Sequence, residues 1–275
     1  MIEFLTSFFS APFTWAVLAT FAAFALLETL RPGRSWPAVR GWRTRGVAFF
    51  LMSLVLSAAA PLFWDAWFAE HRLLDLTGLG HVGGALVGFL VYQAVLYSWH
   101  RALHRVPVLW RALHQMHHSA ERVDVFGAYY FHPLDVIGFA LIGSASLVLI
   151  AGVTTPAAIA ASLASTFCAL FQHSNLRTPR WLGYLIQRPE NHSMHHRRDV
   201  HAGNYGDIAL FDMMFGTFSN PERFEGEVGF HEGASGRIGA MLIGREVAAT
   251  GGTVRPASRT APPRNGRARE TVATR

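Results

Sequence analysis

The 275-residue chain contains no lysine: all 24 of its basic residues are arginine, a bias of the kind that a GC-rich genome produces. It has one cysteine, Cys168, which excludes an intramolecular disulfide and any cysteine-ligated zinc or iron–sulfur site. Cys168 lies in an apolar run, where packing is the default role of a lone thiol. Charge is scarce as well. Charged residues make up 15% of the chain and hydrophobic residues 51%, too apolar a balance for a soluble domain of this length. The net charge is +6, but the arginines sit in loops between apolar stretches and not along one helix face. Membrane headgroups are therefore the expected counter-charge, and nucleic acid is not an expected partner.

Five stretches, 8–30, 47–69, 82–104, 136–153 and 156–172, are apolar enough and long enough to cross a hydrocarbon core of about 30 Å at about 1.5 Å per residue. The last two are short and joined only by Thr154 and Thr155, so they fit either two spans or a shallow re-entrant hairpin. The first stretch lacks a basic leader and a small-residue cleavage site, and is read as a retained helix. The expected fold class is all-α: an integral membrane helical bundle of four to five membrane helices or hairpins, with a cytoplasmic histidine-lined helical cap. Orientation follows from arginine placement, since basic residues in short loops are held on the cytoplasmic side. Arg31, Arg34, Arg40, Arg43 and Arg45, with Arg101, Arg105, Arg111 and Arg122, stand against Arg72 alone on the other side. This predicts an outside N-terminus and a cytoplasmic site, in a bacterial inner membrane. The expected division is N-terminal membrane helices over 1–80, a catalytic domain over 81–231 and a disordered basic tail over 248–275.

Fourteen histidines are the unusual feature. Three boxes hold most of them: His100 and His104; His114, His117 and His118; His192, His195 and His196. Residues three and four apart share one helix face, so each box aims its imidazoles in one direction. Neutral imidazole is a good ligand for iron, zinc, copper and nickel, and eight or nine are too many for one ion. Two ions with four or five nitrogens each fit the count. A single spaced pair arises by chance on surface helices, but three boxes on one predicted membrane side do not have that reading. His173, at the end of the fifth stretch, is placed to be a ninth ligand. His132 and His201 divide between ligand and supporting roles, while His71, His81 and His231 are expected to be ordinary surface residues. Ligand imidazoles usually donate their second N–H to a carboxylate or carbonyl; Glu121, Asp124, Asp135, Glu190, Asp199, Asp207 and Asp212 are the candidates by proximity. Tyr92, Tyr97, Trp99, Trp110, Phe126, Tyr129, Tyr130 and Phe131 are candidates for lining a lipid path or for packing.

These motifs resemble the fatty acid hydroxylase and sterol desaturase superfamily of integral membrane di-iron oxidoreductases. The resemblance runs over roughly 97–218 and includes Phe131-His132-Pro133-Leu134, Gln172-His173-Ser174-Asn175, Asn204-Tyr205-Gly206, Phe211-Asp212 and Phe215-Gly216-Thr217. It implies that His100, His104, His114, His117, His118, His192, His195 and His196 hold two iron ions; His173, placed by its position at the end of the fifth stretch, completes the expected ligand set, and zinc is a possible substitute. It further implies O2 as co-substrate, a fatty acyl, sterol-like or isoprenoid lipid that is hydroxylated or desaturated, and electrons from an external ferredoxin- or cytochrome-type carrier with its reductase. No residue beyond the metal ligands is expected to act catalytically. Some fatty acid hydroxylases carry a further H-x-x-x-H before the last box; here Ala169 stands four residues before His173, a departure toward the sterol-desaturase-like branch. The rival readings are a non-enzymatic membrane metal- or haem-binding protein, a metal transporter, which would need ionisable residues through its spans, and a zinc hydrolase.

Overall fold

The computed structural model describes residues 2–248, which are helical apart from loops and two isolated bridges, Ile186 with Ile208 and Arg197 with Val228. The first apolar stretch is two helices, α1 (Ile2–Ser10) and α2 (Pro12–Leu30). They break at Ala11 because Pro12 has no N–H and disfavours helical geometry in the residue before it. α3 (Trp42–Ala59) tightens into a 3-10 turn over Ala60–Phe63, where Pro61 interrupts the ladder. The expected 47–69 stretch therefore starts earlier and ends at Phe63, and Asp65–Glu70 forms a separate short α4. α5 (Gly80–Arg105) is the longest helix. It leads into α6 (Pro107–Leu109), a wide π turn at Trp110–His114, and α7 (Gln115–His118). α8 (Pro133–Ser144) continues through a second wide turn, Ala145–Ile150, and α9 (Thr155–His173) follows. Short helices α10 (Pro189–His195), α11 (Ala209–Met214) and α12 (Ile238–Leu242) build the remainder. Of the expected 248–275 tail, everything beyond Ala248 lies outside the described residues.

Five segments are long and apolar enough to cross a membrane: Pro12–Leu30, Trp42–Phe63, Thr77–Arg105, Pro133–Ile150 and Thr155–His173. The last two are 18 and 19 residues long, about 27 Å or more each, so each has the length of a full span and not of half a hairpin. Only 22% of the apolar window is buried within the protein in each of the first three. Leu26, Leu51, Val55, Leu86 and Leu90 consequently remain exposed. In water each such side chain costs about 25 cal/mol per Å² of apolar surface; in hydrocarbon it costs nothing, while the helical backbone satisfies its own hydrogen bonds.

Consecutive spans alternate in direction, which gathers the 31–41, 106–132 and 174–248 segments at one end of the bundle. Cross-links there are specific. Glu28, buried near the end of α2, accepts the backbone N–H of Val125 at 3.0 Å and of Asn175 at 3.0 Å, and Arg45 donates to the carbonyl of Ser235 at 2.8 Å. At the other end α5 packs closely on α9 and the second wide turn. A Cβ on Gly84 would lie 3.1 Å from that of Ala157, and one on Gly88 3.0 Å from Leu147 Cδ2, the small-residue contact that lets membrane helices approach.

Candidate metal centre

Nine histidines meet where the helix ends gather. The last turn of α5 supplies His100 and His104, the first wide turn His114, and α7 supplies His117 and His118. His173 is the last residue of α9, His192 and His195 lie on α10, and His196 caps it. They sort into two groups. One nitrogen from each of His100, His104, His114, His118 and His195 lies within 4.8 Å of the others, and the same holds for His117, His173, His192 and His196. All nine residues expected from the sequence are thus brought together, as five and four.

Hydrogen bonding fixes which ring nitrogens are bare. His100 Nδ1–H donates to the carbonyl of Tyr205, His195 Nδ1–H to that of Gly203, and His114 Nδ1–H to Asp135 Oδ2, each at 2.7 Å. Their Nε2 atoms therefore carry lone pairs. Those of His100 and His114 are 3.0 Å apart, and that of His195 is buried without a partner. In the group of four, His173 Nδ1–H donates to the carbonyl of Ala169, and His173 Nε2 lies 3.0 Å from His117 Nε2 and 2.9 Å from His192 Nε2, which is 3.1 Å from His196 Nε2. Lone pairs facing one another in a buried pocket repel unless a cation lies between them. Nitrogens bound to one ion at about 2.1 Å are about 3 Å apart when they subtend a right angle, so the donor set fits a metal. The same closeness leaves no room for a porphyrin between opposed imidazoles.

Burial and then the neighbouring imidazoles hold His117, His118, His192 and His196 well below the ordinary histidine range. His195 is depressed too, by burial first and His100 next. Each is neutral at physiological pH, the ligand form.

Of the seven carboxylates near the boxes, only Asp135 bonds a histidine of the groups. It is fully buried and orients His114. Asp135→Asn is expected to lower the metal affinity of the five-histidine group by about 10- to 100-fold, measured by chelator competition; unchanged affinity would remove Asp135 from that role. Asp212, buried at the start of α11, instead pins the loop that carries the two carbonyls. It accepts from the N–H groups of Tyr205 and Gly206 at 2.9 Å each, from Thr217 at 2.6 Å and from Gln187 at 3.2 Å. Asp124 is held by Trp42 and Arg122, Glu121 accepts from Ser235 N–H, and Glu190 from Thr178. Arg188, fully buried before α10, donates to the carbonyls of Thr178, Pro221 and Glu222 and fixes that helix's entry.

The remaining histidines take other roles. His132 is the N-cap of α8, its Nδ1 accepting the Leu134 N–H at 3.1 Å. His201 lies outside both groups, its Nδ1 3.2 Å from that of His118, and burial pushes it down to about 3. It has a left-handed backbone, φ 39°, in a tight loop with Asp199, Gly203 and Asn204. His71 and His81 are exposed near the far ends of α4 and α5, and His231 bonds the carbonyl of Glu232. The carbonyl acceptors and Arg188 have no sequence signal beyond the turn-forming Gly203-Asn204-Tyr205-Gly206 run.

A cavity of about 360 Å³ opens from the histidines into the bundle. His100, His114, His117, His173 and His192 form its inner end, and Phe131, Phe139, Leu96 and Leu147 much of its wall. Phe131 stacks on His117 at 4.2 Å between ring centres. Along α9 the lining runs from Ala158 to His173, about 22 Å of helix, so the cavity extends toward the opposite end near Pro61 and Asp65.

Residues 85–217 match the model of the fatty acid hydroxylase family. A Delta(7)-sterol-C5(6)-desaturase of Nicotiana tabacum is 28% identical over 163 residues, 58% of this chain and 57% of the relative. A very-long-chain aldehyde decarbonylase of Oryza sativa subsp. indica is 28% identical over 141 residues, covering 47% and 53%. Sphinganine C4-monooxygenase 1 of Arabidopsis thaliana is 26% identical over 142 residues, with the same coverage. The chain spans about half the length of the curated relatives it matches. No solved structure matches it.

Proposed function

We propose, from the membership of residues 85–217 in the fatty acid hydroxylase family, that this protein is a membrane-embedded oxidoreductase that uses O2 and external electrons to hydroxylate or desaturate a lipid. The observation that carries the reading is the two groups of largely buried imidazoles, members of which line one end of an apolar cavity. His100, His104, His114, His118 and His195 would hold one iron, and His117, His173, His192 and His196 the other, zinc being able to substitute. Bound iron supplies O2 activation and electron transfer to oxygen.

The chain's own residues do the rest. Asp135 and the carbonyls of Tyr205, Gly203 and Ala169 hold the Nδ1 protons of four ligands, so that Nε2 is the atom presented. The apolar wall receives an alkyl chain from the bilayer and displaces water from the histidine end. Stacking of Phe131 on His117 keeps that ring from turning. The arginine-rich 31–45 segment lies at the histidine end of the bundle, which supports a cytoplasmic site, reachable by a ferredoxin- or cytochrome-type carrier. We assign membrane anchoring to 1–80 and catalysis to 81–231.

The test is aerobic lipid mass spectrometry of cells with and without the gene. Hydroxylation adds about 16 mass units and desaturation removes about 2, as the redox chemistry of the bound metals requires. Identical lipid profiles, together with purified protein free of transition metal, would overturn the reading.

A further inference from the structure

Among the described residues are four glutamines, all buried: Gln93, Gln115, Gln172 and Gln187. Three have their amide oxygens paired. Gln93 Oε1 accepts from Asp207 N–H at 3.0 Å, Gln115 Oε1 from Val247 N–H at 3.1 Å, and Gln187 Oε1 from Asn191 Nδ2 at 3.2 Å. Gln172 is the exception. Its Oε1 is shut off from solvent and has no partner in the protein, and it is the one of the four that lines the cavity.

The orientation of that amide is dictated by its neighbour. Gln172 Nε2 donates to Asp207 Oδ1 at 3.1 Å, and the reverse placement would set a carbonyl oxygen against a carboxylate. Asp207 is itself held by Gln93 Nε2 at 2.8 Å and by Ser165 Oγ, so the amide rests on a fixed base. A carboxylate behind the N–H polarises the amide and strengthens its oxygen as an acceptor. Asp207 and Ser165 line the cavity as well, so the three form a polar notch in a largely apolar wall, separate from Asp65 toward the far end. Gln172 directly precedes His173 on α9, so the notch lies within one helical turn of the histidine groups. Buried acceptors usually have partners in native proteins, and one carried by a residue that lines a ligand cavity can be met by a ligand's donor.

We propose that Gln172, backed by Asp207 and Ser165, recognises a hydrogen-bond donor on the lipid, so that the substrate carries a hydroxyl or N–H group near the carbon that is oxidised. This rests on the reading that the cavity holds the lipid. A plain hydrocarbon chain leaves the amide oxygen unpaired and is selected against.

The experiment compares two probe pairs, stearyl alcohol with octadecane and cholestanol with cholestane, binding to the iron-loaded full chain in nanodiscs, with iron counted in each sample. In at least one pair the alcohol is expected to bind about tenfold more tightly than the hydrocarbon, the scale of one buried hydrogen bond. Gln172→Met, which keeps the volume and removes the acceptor, is expected to bring that ratio within about twofold with iron content unchanged. Equal binding within both pairs, no binding of any probe, or a preference that survives Gln172→Met overturns the proposal. If Gln172→Met loses iron or fails to fold, Gln172→Leu is read in its place, and the wild-type comparison still decides. An alcohol preference in wild-type protein that binds no iron would sink the oxidoreductase reading and leave the notch standing.

Discussion

His195→Ala is expected to abolish lipid oxidation and to take bound iron from about two ions per chain to about one, with the protein still inserted and helical. His195 is the link between the third box and the five-histidine group: its Nδ1 is committed to the carbonyl of Gly203, and its bare Nε2 faces His100 and His114. Removing it takes from the five-histidine group its one ligand from the third box and so its tie to α10, while His117, His173, His192 and His196 are untouched. His117→Ala is the complementary case, emptying the group of four and losing turnover to the same extent. Each loss should take activity below detection, because the proposed oxidation draws on both centres. His132→Ala is the control. It removes a helix cap worth about 1 kcal/mol and should retain both ions. Metal analysis and circular dichroism on the same samples separate the outcomes, and full activity in either ligand variant contradicts the assignment.

Asp212→Ala is expected to be the most damaging substitution outside the ligands. Four donors converge on this buried carboxylate, and each left unpaired in a buried setting costs about 1–3 kcal/mol. Even with partial relaxation the total is several kcal/mol, which lowers an unfolding midpoint by on the order of 10 °C in a protein of this size. The damage also reaches the metal. Asp212 sets the 203–206 loop, and that loop supplies the acceptors for His100 and His195. Lower iron occupancy should therefore accompany the lower midpoint. Asp212→Asn, which keeps one acceptor oxygen, should fall between the two. A midpoint within a degree or two of wild type, with full iron, would show that the loop holds itself.

The nine histidines and five spans were legible because both rest on spacing that a helix enforces: three- and four-residue intervals put imidazoles on one face, and runs near twenty apolar residues match the hydrocarbon thickness. Span ends were less legible. Hydropathy averages over Pro12 and Pro61, whereas the backbone breaks at those residues. The supporting contacts were least legible. Of the seven nearby carboxylates, five serve backbone N–H groups or tryptophan, arginine, serine, threonine and glutamine side chains instead of a ligand histidine, because nearness in sequence says nothing of which loop folds back. Three acceptors for ligand N–H groups are backbone carbonyls, which every residue has and no sequence advertises. The division of the boxes was hidden for a related reason. Spacing says that three imidazoles of a box point the same way, but not that the ring positions differ enough to serve two centres.

That division has a consequence for how the site assembles. His117 and His118 are consecutive, as are His195 and His196, yet each pair sends one ring to each centre. In each pair adjacent residues thus serve both centres, and the second and third boxes behave as staples driven through two sheets at once. Neither half can tighten or drift without disturbing the other, so filling one centre should raise the affinity of the other, and the two ions should load and leave as coupled steps.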